Sequence, residues 1–152
     1  MSRHAHRTLQ CGALVLAIAV SATTPARSDQ APDHHNKIVI ENVWATPASV
    51  GGKSILRLRI LNEGHDHAHL LGIETSVAEE ARIVGRTGDQ ETTTFGSIGV
   101  RADSALDFTS DHMWIELGPL NRPIRAGESV SVELVFVRSR LHVDAHVHGA
   151  DG

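Results

Sequence analysis

Cysteine, methionine, lysine, tyrosine and aromatic rings are all scarce in this 152-residue chain, and each shortage removes a class of structure. The single cysteine, Cys11, lies near the N-terminus, and there are two methionines, two lysines and no tyrosine. Without thiols in the body of the chain, disulfide staples and thiolate metal sites are excluded. With almost no thioether, a soft cage for Cu(I) is poorly supplied. The aromatic rings are Trp44, Phe95, Phe108, Trp114 and Phe136, so a core must come from Val, Ile, Leu and Ala with a few rings as anchors. Fourteen basic residues stand against eighteen acidic ones, a net charge of −4, which excludes a nucleic-acid partner because that would need a basic patch. The sequence contains no Gly-x-Ser-x-Gly elbow, phosphate loop, His-Glu-x-x-His pair or cysteine nucleophile in its body. Asp107, Asp111 and Glu116 around His112 could be imagined as an acid–base set, but acids on an antiparallel hairpin more often form a solvated face, so the chain does not read as an enzyme.

The longest apolar run, Cys11–Ala22, follows a start that carries Arg3 and Arg7 and no acid. About a dozen residues are too few to span a bilayer as a helix, which takes roughly 20. A basic start, a short apolar centre and small residues after it describe a secretory signal peptide. Cleavage is expected after Val20-Ser21-Ala22, with Ala26-Arg27-Ser28 as the weaker site. Residues 1–22 are therefore read as a signal peptide and residues 23–36, polar and with two prolines, as a flexible leader. Cys11 stands at the start of the apolar run and not after it, the wrong place for a lipoprotein cysteine, and leaves with the peptide along with His4 and His6. What remains has 12 basic and 18 acidic residues, a net charge of −6. It is expected in the periplasm or otherwise exported, and not embedded in a membrane.

From Lys37 onward the texture is that of strands. KIVIENVWA is rich in β-branched residues, and SILRLRILN sets Leu56, Leu58 and Ile60 against Ile55, Arg57 and Arg59. SVSVELVFV (129–137) puts Val130, Val132, Leu134 and Phe136 on one face, and RLHVDAHVH closes the chain as another alternating segment. Ser76 and Glu79 fit a capping box, which predicts a helical turn around 77–81, although Ile83-Val84 signals a strand beginning. GDQETTTFGS reads as a turn-rich, threonine-rich connection. Turn signals recur every eight to twelve residues and no useful window keeps a helical period. Such spacing predicts an all-β domain, a β-sandwich or small Greek-key barrel, over 37–148.

Eleven histidines are the one conspicuous excess. In Gly64-His65-Asp66-His67-Ala68-His69, an extended backbone would send His65, His67 and His69 to the same side. In the closing segment His142, Asp144, His146 and His148 share one face while Val143, Ala145 and Val147 share the other. The apolar face can complete a sheet core, leaving imidazoles and a carboxylate outward. Residues two apart on a strand are about 6.6–6.8 Å apart, close enough for two imidazoles to lean onto one ion. Imidazole suits Cu(II), Zn, Ni and Fe, with Cu(II) at the head of the divalent affinity order. Oxidised copper is therefore favoured over Cu(I), and zinc is a second candidate. His34-His35 in the leader is a weaker pair.

The runs IVIENVWATPASVGGKSILRLRILNEG, HLLGIETSVAEEARI and IGVRADSALDFTSDHMWIELGPLNRPIRAGESVSVELVF, in that order and spacing, resemble the periplasmic copper chaperone PCu(A)C family over about residues 38–147. The resemblance implies a cupredoxin-like Greek-key β fold carrying Cu(I) on two His and two Met. It implies His112 as the distal histidine, but Trp114 stands where the following methionine should be, with Met113 adjacent and directed to the opposite face. The first histidine falls near Val84 and the first methionine near Gln90 to Thr92, where neither residue type occurs. One ligand of four survives. The expectation is a copper chaperone or buffer that holds copper on exposed His65, His67, His69, His112, His142, His146 and His148 and passes it to an exported cuproprotein. Release would follow protonation, since free imidazole titrates near about 6.5. Two rivals stay open. HDHAH is similar to the histidine loops of zinc-scavenging systems, and a metal-free β-sandwich could serve as an interaction module.

Overall fold

The fold is described from a computed structural model over residues 37–88 and 91–149. The expected signal peptide, the expected leader with His34 and His35, and Gln90 lie outside the described residues. Ten strands follow one another with no helix between them among the described residues: β1 Ile38–Ala45, β2 Ser54–Asn62, β3 Ala68–Thr75, β4 Ala81–Thr87, β5 Glu91–Phe95, β6 Ile98–Val100, β7 Ser104–Asp107, β8 Met113–Leu117, β9 Ser129–Phe136 and β10 Arg140–Val147. They form one sheet in the order β5-β4-β8-β2-β1-β10-β9-β3-β6, with β7 pairing β2 beyond the end of β8. β3 and β4, from opposite halves of that order, come into contact, so the sheet curls into a nearly closed barrel. Every pairing is antiparallel except β1 with β10.

Alternation explains the core. Along β2 the side chains of Leu56, Leu58 and Ile60 are fully buried while Ile55, Arg57 and Arg59 are half-exposed. β9 buries Val130, Val132, Leu134 and Phe136, and β10 adds Ala145 and Val147. Phe108, between β7 and β8, is fully buried, and its N–H donates to the carbonyl of Leu58 at 2.9 Å. Each such aliphatic or aromatic side chain taken out of water contributes about 1.5–3 kcal/mol. A bulge between Glu41 and Trp44 changes the phase of β1, with Asn42 in the left-handed region at φ 53°. Before the bulge Ile38 and Ile40 pack on the core, and after it Val43 and Ala45 do. The odd residue count turns Trp44 to the outer face, beside β10.

Two local expectations are corrected. No helical turn forms at 77–81. Val77 and Ala78 are buried, Ala78 bridges to Leu120, and the Glu79 N–H donates to the carbonyl of Pro119 instead of entering a capping box. Burying two small apolar side chains against the 118–124 loop outweighs a local cap. The threonine-rich segment is also not merely a connection, because Glu91–Phe95 pairs with β4 as an exposed edge strand, which suits β-branched residues.

Asn62 is one of two buried polar residues among those described, and it fastens the loop that follows β2. Its Nδ2 donates to the carbonyls of Asp66 (2.8 Å) and Val100 (3.1 Å), and its Oδ1 accepts from the Gly64 N–H (3.1 Å). Asn62→Ala is expected to lower unfolding free energy by about 2–4 kcal/mol, since it strands buried groups as well as deleting bonds. Urea unfolding followed by tryptophan fluorescence checks it, and a loss below about 0.5 kcal/mol would contradict this role.

Candidate metal centre

β10 lies between β1 and β9, paired with β9 from Arg140 to His146 and with β1 at His146 and Val147, so what distinguishes its residues is the face they take. Along it Ala145 and Val147 are buried, Leu141 and Val143 are half-buried, and His142, Asp144 and His146 are exposed. His148, just past the strand, is also exposed, but its end is held: the His148 N–H donates to Ala45, the Val147 N–H donates to Glu128, and the Val147 carbonyl accepts from Gly127. The closing histidines therefore sit on ordered backbone.

Pairing supplies partners that a linear sequence does not show. His142 stands opposite Glu133 of β9, with Nε2 3.3 Å from Oε1. Glu133 stands opposite Glu74 of β3, and Arg140 bridges the two carboxylates at 2.9 and 3.1 Å. Those carboxylates, Glu74 first, raise the pKa of the Arg140 guanidinium. At the other end of β10 the Nδ1 of His146 is 3.1 Å from the Ser129 hydroxyl, and Trp44 is its neighbour on β1. The His148 ring meets Trp44 edge-on, with centroids 6.1 Å apart. His142 and His146 are four residues apart, about 13 Å along a strand, so they cannot share one ion on this strand. The stripe divides into a His142–Glu133 pair and a His146–His148 pair beside Trp44.

The other cluster is arranged differently. His65, His67 and His69 are all exposed, but β3 begins only at Ala68, and residues 64–66 bend. His67 and His69 line a small cleft of about 140 Å³ with Ile38, Phe136, Arg138 and Ser139. Arg138 also reaches the Asp66 carboxylate at 3.4 Å. A guanidinium in the cleft opposes a second cation there. Among the described residues no group of three His, Asp or Glu side chains is placed to hold a metal ion.

His112 is exposed in the turn that leads into β8, and its carbonyl accepts from the Arg86 N–H at 2.8 Å. The neighbouring positions where the resemblance implied sulfur and imidazole do meet in space, since Val84 of β4 lies opposite Trp114 of β8. Val84 is buried, the Arg86 guanidinium lies 5.9 Å from the Trp114 ring centroid, and the Phe95 ring lies against Gly85, where a Cβ would come within 2.6 Å. An aliphatic group, an indole and a fixed cation do not fit a His/Met copper cage. The nearby acids each have a partner of their own. Asp111 pairs with Arg57, which also donates to the carbonyls of Phe108 and Ser110; Glu116 pairs with Lys53; and Asp107 accepts from Thr109.

Sequence reasoning found every exposed histidine but missed Glu133, Arg140 and Ser129 as their companions. Outward placement of Ser129, Ser131 and Glu133 follows from the alternation of SVSVELVF, whereas the register that brings them to β10 is a property of the hairpin.

Residues 38–147 match the family described as "Putative lipoprotein LpqE-like". Among solved structures the fold is similar to the apo PCuAC domain of PmoF2, with 19% identity and TM-score 0.65 over 78% of this chain and 94% of that one. The copper-bound PCuAC domain from PmoF2 aligns with 18% identity and TM-score 0.64 over 76% and 95%. The solution structure of CuI-DR1885 from Deinococcus radiodurans aligns with 21% identity and TM-score 0.55 over 74% and 80%. At these identities the likeness establishes the fold, and the expected all-β PCu(A)C-type architecture is the one observed. No curated protein matches the chain.

The turn that carries His112 is fastened by Asp107, whose carboxylate accepts from the Thr109 hydroxyl (2.6 Å) and N–H (2.7 Å). The hydroxyl first, and then the N–H, hold its pKa below the usual carboxylate range. A depressed pKa means that the stabilisation is present above the ordinary carboxylate value and disappears as pH falls through the lower, folded value. Asp107→Ala should therefore melt a few degrees lower than the parent at neutral pH, with the gap closing in strong acid. A gap independent of pH would contradict this assignment.

Proposed function

The chain belongs to the LpqE-like family, and from that premise we propose that it is an exported, non-enzymatic copper-binding protein, a chaperone or buffer that carries its ion on surface imidazoles. The observation that supports this most is the outward stripe of His142, Asp144, His146 and His148 on a strand whose other face completes the core. Two similar folds are described as copper-bound and Cu(I)-loaded, which supports copper as the cargo. The family description as a lipoprotein, together with the signal-like N-terminus, supports export.

The donors are nitrogen and oxygen, which favours Cu(II) over Cu(I). His146 and His148 are the closest pair in sequence on the stripe, and Ser129 at Nδ1 of His146 leaves Nε2 of that ring as the coordinating atom. Few protein donors and an open setting imply loose binding, as transfer to an exported cuproprotein requires. His65, His67 and His69 form a secondary surface, weakened by Arg138, and His112 is the single imidazole on its turn. Zinc is the second reading, because a histidine with a carboxylate, as at His142 and Glu133, is also a zinc donor set.

Competitive titration of the full chain with Cu(II), Zn(II) and Cu(I) tests the proposal. The variant His142→Ala/His146→Ala/His148→Ala should keep its circular dichroism spectrum and lose most Cu(II) stoichiometry. Unchanged Cu(II) binding would move the site to His65, His67 and His69. Tight Cu(I) binding would contradict the nitrogen-donor reading, and absence of any binding would leave the metal-free interaction module.

A further inference from the structure

The pair His142–Glu133 has a geometry of its own. Its atoms come from two different strands in direct register, β10 and β9, and already face each other at 3.3 Å. An ion about 2.0–2.2 Å from one nitrogen and one oxygen leaves such a separation when the angle at the metal is about 105°, close to tetrahedral. Glu133 is the more buried partner, with its side chain 18% exposed, whereas His142 is 75% exposed. The carboxylate is held from below by β9 and Arg140, while the imidazole stands out in solvent. Both border a hollow of about 360 Å³ whose rim also includes Glu74, Ser76 and Ser131, leaving room for water ligands.

A cation already serves these carboxylates. Glu74 and Glu133 stand directly opposite each other, an arrangement of like charges that is unfavourable unless compensated. The Arg140 guanidinium compensates it by bonding both. Any metal at Glu133 competes with that guanidinium.

We propose that His142 and Glu133 form a second, exchangeable site for a tetrahedral divalent cation of the zinc class, with Arg140 as the built-in competitor that keeps its affinity low. This rests on the reading of β10 as a metal-handling face but assigns a ligand, Glu133, an ion class and a restraint that the copper reading does not contain. Two protein donors and water complete the coordination. Displacement of Arg140 also releases Glu74 beside the ion, so removing the guanidinium strengthens the site.

The experiment uses the full chain carrying His146→Ala/His148→Ala, which removes the neighbouring pair, and Zn(II) as the probe in a non-coordinating buffer. Calorimetry should show retained Zn(II) binding. Glu133→Gln and His142→Gln, each added to that background, should each weaken it by roughly tenfold or more. Arg140→Gln should strengthen it, on the order of fivefold. His142→Gln is at an exposed position and carries the test should Glu133→Gln not fold by circular dichroism. Equal Zn(II) affinity in parent and His142→Gln, or weaker binding in Arg140→Gln, overturns the proposal. Loss of all Zn(II) binding in the double variant overturns it too, while Cu(II) titration of the unmodified chain tests the copper reading separately.

Discussion

A strand paired on both edges has two faces, and when one of them must cover a core the other is committed to solvent. β10 is such a strand, set between β1 and β9. Ala145 and Val147, with half-buried Leu141 and Val143, fix which way it faces, because a slip of one residue would bring three imidazoles and a carboxylate into the barrel and expel four apolar groups. The histidines are therefore outside by the same interaction that makes the domain fold. The bulge in β1 belongs to the same arrangement: by shifting phase at Asn42 it turns Trp44 outward, opposite His146 on β10 and edge-on to the His148 ring.

The barrel matches PCuAC folds, yet the place where the resemblance implies a sulfur-rich copper cage is closed by ordinary packing. Val84 is buried, Trp114 lies opposite it, and Arg86 rests a positive charge on the indole face. The histidines instead stand at exposed positions. A metal held there, as proposed, would keep water ligands and compete with neighbouring charges such as Arg140, so its binding would be loose and exchangeable.

Much of this was legible beforehand. Period-two alternation in SILRLRILN, SVSVELVF and RLHVDAHVH located three strands and their inner faces, because the hydrophobic pattern of a half-buried strand is written in adjacent residues. Exposure of His69, His142 and His146 followed from the same rule, whereas His65 and His67 precede β3 and are exposed on the bend that leads into it. Partnership across strands did not. Glu133 lies nine residues from His142 and Glu74 lies far upstream, and only pairing aligns them. The capping-box signal at Ser76 lost to the burial of Val77 and Ala78, a tertiary gain no local window contains. The threonines of β5 looked like a turn because an edge strand with no buried face shows no apolar alternation.

The most direct measurement is X-ray absorption at the copper edge on the full chain loaded with Cu(II). A first shell of nitrogen and oxygen alone, with the outer-shell scattering that imidazole rings produce, is the expected result. A sulfur shell, or the absence of copper from the protein after removal of excess ion, would contradict surface imidazoles as the carriers.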